Sequence, residues 1–271
     1  MKQAKIGFIG AGNMAGAIIG GITGSGIMEC SQVGVFDTNA SVMESYQSRG
    51  FVVFDSVEEL VTGCQTVFLS VKPQIFTQVL PQVKAAMTPD KLLISIAAGM
   101  TAKYIKTAIG FDCKLILAMP NTPMLVGFGA SILSHQPPVT DEEFDFAVQL
   151  FASAGVAEVI PPDKMNEIIP VSGSSPAFVY EFARVIVKKA EEKGFDPQQA
   201  NRLFCHTLIG AAQMMLQSDK SHEELIRMVC SPGGTTLKAM EALERCGFEQ
   251  AISTAFDDCI QRAYELQELG K

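Results

Sequence analysis

The sequence predicts an α/β protein: a doubly wound parallel sheet over residues 1–162, followed by an all-helical domain over residues 163–271. Three observations predict it. Short, β-rich apolar runs alternate with helical stretches as far as Ile160, and a glycine-rich turn joins the first run to the first helical stretch. Beyond Pro161-Pro162-Asp163 the alternation stops and only helical periodicity remains. Strands that are apolar on both faces and separated by helices belong to a parallel sheet covered on both sides.

Taken in order, the expected strands are Lys5–Ile9, Val33–Phe36, Phe51–Phe54, Thr66–Val71, Leu92–Ile96 and Lys114–Ala118, with Ser131–Ser134 and Val156–Ile160 as two more. Helices fit between them at Asn13–Ile22, Ser41–Ser48, Gln74–Met87, Thr101–Ala108 and Asp141–Ser153. In the second region Phe178, Phe182, Ile186 and Ala190 share a helical face. Leu203, Phe204, Thr207, Leu208, Ala211 and Met215 follow the three-and-four spacing of another helix, and a last one runs from Phe248 to Leu269. Helices this apolar in so short a segment require burial against something large, either a partner subunit or the first domain.

Composition sets the class. With 48% hydrophobic and 18% charged residues in 271, the chain is neither disordered nor a membrane protein. A net charge of −8 and a pI near 5.0 exclude a nucleic-acid partner, which needs clustered Lys and Arg. No apolar stretch of about 18 residues is present, so no transmembrane helix is expected. The run Ile6–Ile9 is broken by glycines too early for a secretion signal. Seven scattered cysteines without a C-x-x-C pair read as reduced thiols in a cytoplasmic protein, not as a disulfide framework or a metal site.

Gly10-Ala11-Gly12-Asn13-Met14-Ala15 fits G-x-G-x-x-G/A between the first strand and the first helix. Gly10 permits the tight turn, Gly12 lets the backbone approach a pyrophosphate, and Ala15 allows close helix–strand packing. This is the signature of a Rossmann-type dinucleotide-binding domain. Asn13 and Met14 open the helix whose N-terminus faces the phosphates. Asp37, at the end of the second strand, accepts from a ribose diol and repels a 2′-phosphate, which leans the reading toward NAD. Thr38 and Asn39 are neutral donors that still suit a phosphate, so NADH and NADPH both remain open. Ligands lie at the carboxyl ends of parallel strands, so Val71, Lys72 and Pro73, then Ala97 and Ala98, and then Asn121 should border the same cofactor. Lys72 suits a phosphate or ribose, or simply solvent. Asn121 suits the nicotinamide end, or a turn.

A second glycine motif, Ser231-Pro232-Gly233-Gly234-Thr235-Thr236, precedes the helical pattern Leu237–Leu243. Helix N–H groups left unpaired behind two glycines make an anion site, and a small carboxylate is the ligand it fits.

Together the pieces Phe8–Met14, Val71–Gln74, Ala118–Pro123, Val171–Ala177 and Ser231–Thr236 make the chain similar to the pyrroline-5-carboxylate reductases along essentially its whole length. The resemblance implies NADPH- or NADH-dependent hydride transfer to the C=N bond of 1-pyrroline-5-carboxylate, giving L-proline, the last step of proline biosynthesis. It implies that the N–H groups of Gly234, Thr235 and Thr236 hold the substrate carboxylate behind Gly233, with Val229 and Ser231 lining the pocket. It implies that the Thr236 hydroxyl, the one catalytic side chain expected, meets the ring nitrogen. It also implies a helical domain that interlocks with its twin in a homodimer, with dimers assembling further to a decamer. Two departures stand out: the family's usual Ser-Gly-Ser-Gly-Pro-Ala-Tyr has Ser175 and Phe178 here, and the Arg often found after the second strand is absent from Asp37-Thr38-Asn39.

Two other readings are weaker. A β-hydroxyacid dehydrogenase needs a catalytic lysine, and Ser172–Tyr180 holds none before Lys188. A non-catalytic dinucleotide sensor would be expected to lack the Gly-Gly-Thr-Thr loop. His135, His206 and His222 belong to no motif and read as structural.

Overall fold

The computed structural model describes residues 2–269. Its first helix–strand series runs β1 (Ala4–Ile9), α1 (Asn13–Gly24), β2 (Val33–Phe36), α2 (Ala40–Ser48), β3 (Val52–Val53), α3 (Val57–Gly63), β4 (Cys64–Leu69), α4 (Phe76–Ala86), β5 (Leu92–Ser95), α5 (Ala102–Ile109) and β6 (Lys114–Met119). β7 (Gly129–His135), α6 (Asp141–Ala152) and β8 (Gly155–Val159) follow. Thereafter the chain is helical: α7 (Ser175–Glu191), α8 (Pro197–Gln217), α9 (His222–Val229), α10 (Thr235–Arg245) and α11 (Phe248–Leu269).

The eight strands form one sheet in the order β3-β2-β1-β4-β5-β6-β7-β8. The first six are parallel, each in register through pairs such as Phe8↔Val35, Phe8↔Phe68 and Ile94↔Ile116. The seventh departs from the parallel direction of the first six: β7 runs antiparallel to β6, with Leu117 opposite Ser134. The physical reason is the connection, a short 3-10 turn at Thr122–Val126 in place of a crossover helix. α6 then supplies a crossover, and β8 returns parallel to β7.

Alternation along the strands sends side chains to both faces. Phe8, Phe68, Ile94 and Ile116 pack with α1 and α6 residues such as Ile18, Ile19, Leu150 and Phe151. Ile9, Val67, Leu69, Leu93 and Leu115 pack on the other face with α3, α4 and α5, through Leu60, Leu80, Val83 and Ile105. Gly7 and Gly34 have no room for a larger residue: a Cβ on Gly7 would lie 2.6 Å from Leu60, and one on Gly34 2.5 Å from Phe54.

Two compact units result, Met1–Pro176 with Cys259–Lys271, and Ala177–Asp258. The packing division therefore falls beyond the break at residue 162. Met165, Asn166, Pro170 and Ser172 are buried in the first unit, and Gln267 of α11 donates to Asn166 Oδ1 at 3.1 Å. In the second unit α7 to α10 contain no fully buried residue, although α7 and α8 meet edge-to-face at Phe182 and Phe204.

Candidate functional site

The sheet order reverses at β1, whose neighbours are β2 on one side and β4 on the other, and ligands of such sheets sit outside the carboxyl ends at that point. The loops there are tied together. Gly10 N–H donates to the Phe36 carbonyl at 2.8 Å, and Ser70 N–H to the Ile9 carbonyl at 3.0 Å. The Ser70 hydroxyl meets the carbonyls of Ile9 (2.9 Å) and Gly10 (2.7 Å), a role that nothing in the sequence pattern announced.

Gly10 has φ +89°, and a Cβ there would lie 2.7 Å from Val71 Cγ1 and 2.8 Å from the Ser70 carbonyl oxygen. Gly12 caps α1 without a side chain, no acidic residue occupies the first turn, and a Cβ at Gly12 would meet nothing within 4 Å. The start of α1 at Asn13 and Met14 is thus uncapped and open beside Gly12, a cradle that fits a pyrophosphate.

Asp37 follows β2 and is held from two sides. Its Oδ2 accepts the Ala11 N–H at 2.8 Å and its Oδ1 the Asn39 N–H at 2.9 Å. Thr38 and Asn39 are exposed, and Asn39 caps α2 by accepting from Ser41 N–H. Val71, Lys72 and Pro73 follow β4, with Lys72 exposed ahead of a Pro-initiated 3-10 turn. Ala97 and Ala98 follow β5, and the Ala97 N–H reaches Ser95 Oγ at 3.4 Å. The expected cofactor residues therefore lie at the carboxyl ends of five adjacent strands.

Asn121 follows β6 and is 7% exposed. Its Oδ1 accepts the Ala130 N–H and its Nδ2 donates to the Ser172 carbonyl, both at 2.9 Å. Its amide pins the loop after β6 to β7 and to the segment ahead of α7, a tie between partners too far apart in sequence to anticipate. That segment, Pro170–Ser174, forms a wide π turn, and the Ser175 hydroxyl donates to the Pro170 carbonyl at 2.6 Å. Ser175 has φ −54° and ψ −30°, ordinary helical values, so serine stands there without strain.

The second set lies within the second unit, at the turn from α9 to α10. Gly233 has φ +71°, which favours glycine, and a Cβ on Gly234 would lie 2.5 Å from Ser231 Oγ. Gly234 caps α10 with no side-chain hydrogen bond. One part of the carboxylate expectation changes here. The Gly234 N–H already donates to the Ser231 carbonyl at 2.9 Å, which leaves the Thr235 and Thr236 N–H groups as the outward donors. Thr236 and Val229 also edge a cavity of about 420 Å³ whose walls include Met214, Leu225, Cys230 and Met240. Those walls are apolar and offer an anion few donors, whereas the loop's N–H groups do.

Residues 162–266 match the sequence pattern of a family described as pyrroline-5-carboxylate reductase dimerisation, and residues 5–99 one described as NADP oxidoreductase coenzyme F420-dependent. Over 267 residues the chain is 35% identical to the pyrroline-5-carboxylate reductase of Escherichia coli (strain K12), a match that spans 98% of this chain and 99% of that one. The chain belongs to the pyrroline-5-carboxylate reductase family. Its likeness to that family's member from Pseudomonas aeruginosa is also 35%, over 272 residues, 99% of this chain and 98% of the other. The solved pyrroline carboxylate reductase of Plasmodium falciparum, with NADP bound, superposes with a TM-score of 0.89 at 27% identity, covering 98% of this chain and 99% of that one. The family member from Coxiella burnetii gives the same TM-score at 29% identity, over 97% and 98%. The family pattern begins at the Pro161-Pro162-Asp163 break, ahead of the packing division at Pro176.

Proposed function

We propose that this chain reduces the C=N bond of 1-pyrroline-5-carboxylate to give L-proline, using NADPH or NADH, as the last step of proline biosynthesis. The observation that carries the reading is an intact, uncapped Ser231–Thr236 loop in a chain related to these reductases over 98% of its length. When bound, the reduced dinucleotide supplies a hydride to the imine carbon, and the C=N electron pair moves to nitrogen.

The chain's own residues position and hold. Gly10, Gly12, Asn13 and Met14 cradle the pyrophosphate, Asp37 to Asn39 meet the adenine ribose, and Val71–Pro73 with Ala97 and Ala98 border the middle of the cofactor. Asn121 sets the loop beside the nicotinamide through the two hydrogen bonds described above. The Thr235 and Thr236 N–H groups hold the substrate carboxylate, with Ser231, Gly233 and Gly234 shaping the turn and Val229 beside it. The Thr236 hydroxyl orients the ring nitrogen. It is too weak an acid to protonate an imine readily, so the iminium form is the substrate expected to react. Alignment of the two reactants alone contributes several kcal/mol, by the usual scale of effective molarity.

The exposed apolar side chains of α7 to α9, among them Phe182, Leu203 and Met228, support association through the helical region. We take the assembly to be a homodimer in which each copy's loop completes a site with its partner, with dimers building a decamer. Free thiols at all seven cysteines support a cytoplasmic setting. Purified protein mixed with 1-pyrroline-5-carboxylate and either reduced dinucleotide tests the reaction by loss of nicotinamide absorbance. Turnover is expected, and its absence with both cofactors overturns the proposal. Sedimentation separates dimer from decamer.

A further inference from the structure

We propose that the site is built for NADH in preference to NADPH, and that Asp37 is the residue that decides it. The inference rests on the dinucleotide reading above and names which dinucleotide that site takes.

Its first support is the fixed carboxylate. The N–H groups of Ala11 and Asn39 hold one Asp37 oxygen each, at 2.8 and 2.9 Å, so the side chain cannot swing away from the ribose end of the glycine loop. An Asp carboxylate offers about four lone-pair positions, and two backbone donors leave capacity for a ribose diol. A 2′-phosphate in the diol's place carries about −1.5 to −2 charge near neutrality and sets that charge against the carboxylate in place of a hydroxyl donor.

The second support is the accounting of donors beside it. Ser41 donates both its N–H (3.1 Å) and its hydroxyl (2.8 Å) to Asn39 Oδ1. The N-terminus of α2, the obvious place to receive a 2′-phosphate, is therefore partly closed by its own cap. What remains at this spot is the Thr38 hydroxyl, the Asn39 side-chain amide and the Ala40 N–H, none of which carries the full positive charge that would offset an added phosphate.

The third is the lack of a cation. No Lys or Arg occurs from Thr38 to Ser48. The Arg49 backbone stands at the opposite end of α2, about 13 Å away at 1.5 Å per residue. Its guanidinium stacks over Tyr46 (5.3 Å) and Phe51 (5.0 Å). The Plasmodium falciparum relative was solved with NADP bound, so the proposal separates this chain from that one.

Calorimetric titration of the purified full chain with NADH and with NADPH, in the absence of imine, reads the two affinities directly. About tenfold tighter binding of NADH is expected, the scale of one well-placed charge contact. Asp37→Asn keeps an acceptor for the Ala11 N–H but removes the charge, and should bring the ratio of the two dissociation constants toward one. Thr38→Arg leaves Asp37 in place and should tighten NADPH alone. Equal or tighter binding of NADPH by the native chain overturns the proposal, as does an unchanged ratio in Asp37→Asn. Preferential NADH binding by a protein that fails to reduce the imine upholds it while sinking the reaction. Binding of neither nucleotide defeats the dinucleotide site and this inference together.

Discussion

Gly10 and Thr236 mark two kinds of residue on which the site depends. Gly10 is fixed by its backbone: φ is +89° and a Cβ would press on both Val71 and Ser70. Gly10→Ala therefore adds left-handed strain of about 1–2 kcal/mol to a steric clash. It should cost dinucleotide affinity at least about tenfold in a titration, with loss of thermal stability alongside. Thr236 is fixed by its hydroxyl. Thr236→Ala should lower kcat about tenfold, the worth of a hydrogen bond near 1.4 kcal/mol, while NADH affinity stays unchanged. Equal loss of cofactor affinity would show that the loop serves the dinucleotide instead. At this scale the glycines and Asp37 were legible, because the turns they make are local. Asn121 was legible as a residue at the end of its strand, but its hydrogen bond to Ser172, 51 residues away, was not, nor was that of Ser70 to Gly10, 60 residues away, since no local pattern encodes a partner that distant.

Elements are held in place by their ends. Thr140 and Glu143 form a reciprocal capping box at the start of α6, and Glu143 also pairs with Lys114 of β6, joining helix to sheet. Burial pushes the Glu143 carboxyl up, but hydrogen bonds from Lys114 and from the Thr140 backbone outweigh it, and the group sits below its ordinary value. A carboxyl depressed in the folded state stabilises above its unfolded pKa, and that contribution vanishes as pH falls through the folded value. Lys114→Met should thus cost about 1 kcal/mol at neutral pH in urea unfolding. The difference from native should shrink below the usual glutamate range, near pH 4.3. A difference that persists in acid would assign the effect to packing. Most elements were legible from their period, but the short helix α3 (Val57–Gly63), α9 and the direction of β7 were not. α9 spans only His222–Val229, too short for its apolar residues to stand out as a helix. The reversed direction of β7 is set by the length of its connection, on which strand composition is silent.

For the whole molecule the contrast between the two units is the main physical fact. The first buries two apolar layers against a sheet, whereas α7 to α10 bury no residue fully within the chain. Leu203 is 66% exposed and Leu216 80%. Apolar surface on that scale needs a partner, since each fully buried Leu is worth about 1.5–3 kcal/mol. Leu203→Glu should shift sedimentation from the associated form to single chains, with catalysis lost and dinucleotide titration retained. A variant that stays associated would place the contact elsewhere on the helices. The need for a partner was legible in the sequence as an excess of apolar helix. Where the packing divides was not, because Asn121 and Gln267 fasten the segment after residue 162 to the sheet unit from distant points in the chain.

The hydrogen bond from Ala11 to Asp37 has a consequence for anyone retooling the enzyme. The side chain that discriminates between cofactors also braces the phosphate loop, so a change at Asp37 alters specificity and loop rigidity together unless it keeps an acceptor for Ala11. Trading Asp37 for alanine and installing a distant arginine would release that brace while recruiting the new phosphate. A working exchange calls for paired changes, one supplying a cation and one restoring an acceptor for Ala11. An intermediate that loses the acceptor before the cation arrives should be poor with either nucleotide, a fitness valley laid down by one 2.8 Å contact.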